Sequence, residues 1–125
     1  MNTAIAVATC GAIGSVARYG VTHWLTGAIG PNLWGTFLVN VSGAFALGLL
    51  VGLTEVRVSM DPALRAGLAI GVLGGYTTFS TLMYESVREL EGRAIWQSVL
   101  NLGGSVAVGL LAVVLGLAAG RSVAA

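Results

Sequence analysis

The chain has 125 residues, 56% of them hydrophobic and 9% charged, with a formal net charge of +1. Its mean hydropathy of +0.89 is too apolar for a soluble domain and fits an integral membrane protein. The chain contains no lysine and no basic cluster, which argues against nucleic-acid binding. Runs of about 20 apolar residues are needed to span a bilayer, and four occur, at about 3–23, 32–54, 63–84 and 95–120. They lack the apolar–polar alternation of barrel strands. The expected architecture is an all-α integral membrane protein, a single four-helix domain over residues 1–125.

The first run starts without the basic segment that precedes a cleaved signal sequence, so it reads as a retained membrane helix. Cys10 is the single cysteine and reads as a small buried apolar residue. His23 has no partner at metal-ligand spacing and reads as an interfacial residue beside Trp24. Arg18 lies inside the run. Such a charge either snorkels to the interface or faces an aqueous vestibule, where it would concentrate anions.

The second run carries Thr36, Asn40 and Gly43 on one helix face. Asn40 sits roughly 12 Å into the helix. An amide at that depth is costly unless satisfied. It either ties helices together or donates its NH2 to an anion.

The third run contains Gly74-Gly75-Tyr76-Thr77-Thr78-Phe79-Ser80-Thr81. Paired glycines and three threonines are poor material for a helix interior, and lipid cannot satisfy the backbone groups they loosen. A break near the middle of this helix is therefore expected. Such breaks are tolerated where protein buries them or where they line a polar cavity, and they mark ion or substrate sites.

The fourth run places Ser98, Asn101 and Ser105 on one stripe, followed by Gly116 and Gly120. The latter pair, like Gly48 and Gly52, has the small-xxx-small spacing of close helix packing. The acidic residues Glu55, Asp61, Glu85, Glu89 and Glu91 fall at or beyond the expected span ends, so no carboxylate is expected in a helix centre.

Of the six arginines, Arg57, Arg65 and Arg121 fall on the side of the N-terminus. Arg88, Arg93 and a snorkelling Arg18 fall on the other. The positive-inside rule finds no preference in three against three, which points to dual topology and an antiparallel homodimer. Enzyme signatures are missing: Gly74-Gly75 has no phosphate-loop lysine, and the single histidine leaves no catalytic triad.

Three segments resemble the Fluc/CrcB family of small bacterial fluoride channels, and together they cover most of the chain. They are Gly11-Ala-Ile-Gly-Ser-Val-Ala-Arg18-Tyr19, Gly35-Thr-Phe-Leu-Val-Asn40-Val-Ser-Gly43, and Gly74-Gly-Tyr-Thr-Thr-Phe79-Ser-Thr-Leu82-Met-Tyr-Glu85. The resemblance implies an antiparallel dual-topology homodimer in the bacterial inner membrane, passing fluoride passively out of the cytoplasm. It also implies a structural, untransported sodium ion held by the backbone carbonyls of Gly74 and Thr77. Asn40 and Phe79 match pore-lining positions, and Ser80 and Thr81 match a polar track. Arg18 and Ser105 complete the expected ion pathway on the grounds of depth and stripe given above. The family usually has a second phenylalanine where this chain has Leu82. Two rival readings are a small dual-topology multidrug exporter and a non-transporting assembly subunit. The exporter needs a carboxylate in its first helix, and the 3–23 run has none. The assembly subunit leaves the loosened backbone at depth without a purpose.

Overall fold

The computed structural model describes residues 2–30, 34–56 and 59–124. Among them the fold is all-helical. Helix α1 (Thr3–Ile29) begins at Asn2, whose side chain accepts the Ala4 amide at 2.9 Å. It ends at Gly30, whose φ of 81° suits glycine best. Helix α2 spans Trp34–Val56. Helix α3 (Pro62–Ala66) is capped by the Asp61 carboxylate, which accepts the Ala63 and Leu64 amides at 3.0 and 3.1 Å. Pro62, which has no N–H to lose, occupies its first turn.

The chain then continues as a π-helical segment, Gly67–Leu73, and a short helix α4, Gly74–Tyr76. Thr77 (φ −82°, ψ 157°) and Thr78 (φ −149°, ψ 115°) are extended. Helix α5 (Phe79–Glu91) restarts behind the Thr78 side chain. A turn over 92–94, with Arg93 at φ 59°, leads into helix α6 (Ile95–Ala124).

Four helical runs are long and apolar enough to cross a membrane: Thr3–Ile29, Trp34–Val56, Pro62–Glu91 and Ile95–Ala124. The first and third run further than hydropathy predicts, to Ile29 and Glu91 rather than 23 and 84. Polar residues end the apolar stretches, but the backbone stays helical. In α5 the polar face is also held by α6, since Ser98 donates to the Ser86 carbonyl at 3.0 Å. Glu85, Glu89 and Glu91 therefore lie within a continuing helix, a correction to their expected place at or beyond the end of the span. The predicted start of the second span at residue 32, and Arg57, lie outside the described residues.

Two parallel pairs make up the bundle. In the first, α1 runs beside α3, the π segment and α4 through small residues. A Cβ on Gly71 would stand 2.7 Å from Cys10 Cβ, and one on Gly75 2.6 Å from the Gly11 carbonyl oxygen. The second pair joins α2 to α6. Gly48 and Gly52 press on the α6 backbone, while Gly116 and Gly120 press on that of α2. Lipid supplies no hydrophobic drive between helices, so this close backbone approach supplies the packing. Arg121 locks one end of that pair, donating to Glu55 Oε2 through Nε at 3.1 Å and Nη2 at 2.8 Å.

Candidate functional site

At the helix break the Thr78 amide loses its helical acceptor, and Asn40 takes its place. Thr78 N–H, which a continuous helix would direct to the Gly74 carbonyl, donates instead to Asn40 Oδ1 at 2.7 Å. Asn40 Nδ2 returns a bond to the Thr78 carbonyl at 3.0 Å. The amide thus replaces lost backbone partners at depth, where water is excluded. One Asn40 N–H remains, so the expectation that the whole NH2 faces an anion is narrowed to a single hydrogen. Steric fit supports the clamp: a Cβ on Gly43 would overlap the Thr77 side-chain methyl. At the adjoining positions, Ser42 Oγ and the Tyr76 hydroxyl lie 3.1 Å apart.

Thr78 is the centre of the arrangement and is buried. Its hydroxyl accepts the Thr81 amide at 3.3 Å, capping α5, and donates to Thr81 Oγ1 at 3.0 Å. Ser80 Oγ stands 3.5 Å from it. Because Thr81 Oγ1 accepts from Thr78, the Thr81 hydroxyl proton is left for another group.

The expected pathway residues fall on two sides of Thr78. On one side lies a polar cavity of about 370 Å³ between α1, α2 and α5. Arg18, Thr81, Thr36 and Glu85 line it, and Thr36 Oγ1 donates to Glu85 Oε1 at 2.7 Å. On the other lies a mostly apolar groove of about 390 Å³, lined by Asn40, Phe79, Leu82 and Ser105. Phe79 is 74% exposed, whereas Leu82 is 5% exposed. Ser80 borders neither space, although it is exposed. Thr78, Thr36 and Glu85 were not among the expected pathway residues; Thr36 had been singled out only for sharing a helix face with Asn40.

The polar stripe of α6 is buried. Ser98 is bonded to α5, while both amide atoms of Asn101 and the Ser105 hydroxyl find no hydrogen-bond partner among the described residues. Arg18 lies roughly 16 Å before the end of α1, and its Nη1 is 3.4 Å from the Thr77 carbonyl. It points at the break rather than along the helix to the interface.

No group of three or more His, Cys, Asp or Glu side chains converges on a metal position among the described residues. Neutral backbone oxygens are the available donors. The Gly74 carbonyl is deprived of the Thr78 amide, and the space beside Gly74 is open for 4 Å. Hard, uncharged oxygens of this kind suit a hard monovalent cation.

Comparison with known proteins agrees with this architecture. The family model of the CrcB-like protein, Camphor Resistance (CrcB), matches residues 5–117. The chain belongs to the CrcB family. A fluoride-specific ion channel FluC from Agrobacterium fabrum is 45% identical over 117 residues, 93% of this chain and 94% of that protein. Its namesake in Geobacter sulfurreducens is 44% identical over 124 residues, 97% of this chain and 98% of the relative. The Acidobacterium capsulatum FluC is 39% identical over 120 residues, covering 95% and 96%. In this CrcB chain the matched region includes every residue of the break and both spaces beside it.

Proposed function

We propose that the chain is a fluoride-specific ion channel of the bacterial inner membrane, lowering cytoplasmic fluoride by passive export. The observation that carries this reading is the near full-length likeness to relatives named as fluoride-specific channels. The site supplies a physical reason. Fluoride is small, hard and strongly hydrated, so its path must replace water with donors. The remaining Asn40 N–H and the hydroxyls of Ser80, Thr81 and Ser105 are such donors, and the edge of the exposed Phe79 ring is electropositive. Arg18 draws anions toward the polar cavity. Nothing here calls for catalysis.

The working unit in this reading is an antiparallel dual-topology homodimer, in which the third helix of each copy is broken at Thr77–Thr78 and the breaks meet at a twofold axis. Gly74 and Thr77 of both copies would hold a structural sodium ion through their carbonyls. When bound, that ion supplies the positive charge that neutralises converging carbonyl dipoles. The chain's own part is to free the Gly74 carbonyl and to keep its side open.

The test is fluoride release from proteoliposomes holding the purified protein alone. Fluoride should leave down its gradient without an energy source or a counter-ion gradient. Vesicles that keep their fluoride despite correctly inserted protein would overturn the reading.

A further inference from the structure

Arg18 and the structural sodium ion of the preceding section call on the same atom. Arg18 Nη1 stands 3.4 Å from the Thr77 carbonyl oxygen, a long contact for a hydrogen bond and therefore a weak one. The guanidinium is half-buried and also borders the polar cavity between α1, α2 and α5, so it has a second polar place to go. Like charges that share one oxygen in a partly desolvated setting repel strongly. Gly74, the other proposed carbonyl, has open space beside it and carries no such competitor.

We propose that Arg18 and the central cation compete for the Thr77 carbonyl. The guanidinium satisfies this carbonyl before the cation binds, and it withdraws into the polar cavity once the ion is in place. Arg18 is then a positioning residue that sets how tightly the cation is held and couples occupancy of the central site to the positive charge beside the cavity. The inference rests on the sodium reading above.

The experiment is a sodium titration of the thermal stability and subunit exchange of purified dimer, in buffer whose other cation is N-methylglucamine. Arg18→Gln keeps donors but removes the charge, and should lower the half-stabilising sodium concentration by about tenfold. Arg18→Lys keeps the charge and should stay near the wild-type midpoint. An unchanged midpoint in Arg18→Gln overturns the competition while leaving the sodium site standing. Wild-type stability indifferent to sodium overturns both. Guanidinium nitrogen resonances of Arg18 in the wild-type dimer give an answer independent of variant folding. They should move when sodium is added, and resonances that do not move reject the proposal.

Discussion

Asn40 answers both the donor and the acceptor of one residue, Thr78, at 2.7 and 3.0 Å. Asn40→Asp keeps the acceptor for the Thr78 amide but removes the donor to its carbonyl. An unsatisfied buried group of this kind costs about 1–3 kcal/mol, and a carboxylate would also repel an entering anion. Fluoride efflux should drop at least tenfold at equal dimer content, and near-normal efflux from well-folded protein would remove Asn40 from the pathway. Phe79 and Leu82 test the groove. Phe79 is 74% exposed and Leu82 5%, so the ring can meet an ion while the leucine fills the interior. Phe79→Ala should cut flux with little loss of fold, whereas Leu82→Ala should destabilise by about 2–5 kcal/mol. Leu82→Phe should be tolerated, because the adjoining groove has room for a ring. Flux stopped by Leu82→Ala but allowed by Phe79→Ala, both at matched folded content, would reverse this mapping. Asn40 was legible in the sequence because an amide at membrane depth demands a partner. Its partner was not, since Thr78 lies 38 positions away and only helix packing brings the two together. Glu85 was missed for a related reason: hydropathy places it past the span, while its bond to Thr36 depends on the register of α5 against α2.

The third membrane run is built from unlike pieces, and the pieces have a common purpose. Gly67, Gly71 and Gly75 all face α1, where a Cβ on each would meet Ala6, Cys10, Gly11 or Ser15. Residues at i, i+4 and i+8 drift round an ordinary α-helix of 3.6 residues per turn. A stretch of i→i+5 winding turns less per residue and brings the row back. The π segment Gly67–Leu73 thus keeps one glycine seam straight along α1 up to the extended threonines. The four runs were readable from hydropathy, and the loosened Gly74–Thr81 stretch from its composition. The π winding was not, because nothing in a lone helix favours it over α; the seam with α1 selects it. Adjacent glycines separate the two roles. Gly75→Ala would put a methyl 2.6 Å from the Gly11 carbonyl, and overpacking of this order costs about 1–3 kcal/mol. Gly74→Ala meets nothing within 4 Å among the described residues. In sodium-free buffer, where no bound ion adds stability, thermal unfolding should shift down for Gly75→Ala and hold for Gly74→Ala. Dimer content and its sodium response should fall for Gly74→Ala. Equal thermal loss in both would mean that the Gly74 side is not open in the assembled protein.

For the molecule as a whole, insertion depends on how arginines divide between the two ends of the bundle. The sequence suggests three against three by counting Arg18 at the end where α1 finishes. In the structure Arg18 reaches the Thr77 carbonyl in the middle of the bundle instead. Without it the sequence count becomes Arg57, Arg65 and Arg121 against Arg88 and Arg93, Arg57 lying outside the described residues. Arg121 is paired with Glu55, and Arg88 with Glu91 at 3.1 Å. Acidic residues contribute little to the orientation rule, so these pairs do not change the count. A bias of one arginine is weak, and the bundle still inserts both ways round in this reading. A single cysteine placed in the 92–94 turn, in a Cys10→Ser background, should label from both faces of the membrane in cells expressing this gene alone. Two arginines added near that turn should drive one orientation and lower fluoride efflux, because antiparallel partners become scarce. Co-expression with a copy carrying two added arginines near Asp61 should restore it. Labelling from one face only, with efflux intact, would show that a single orientation suffices and would remove the antiparallel dimer from the mechanism.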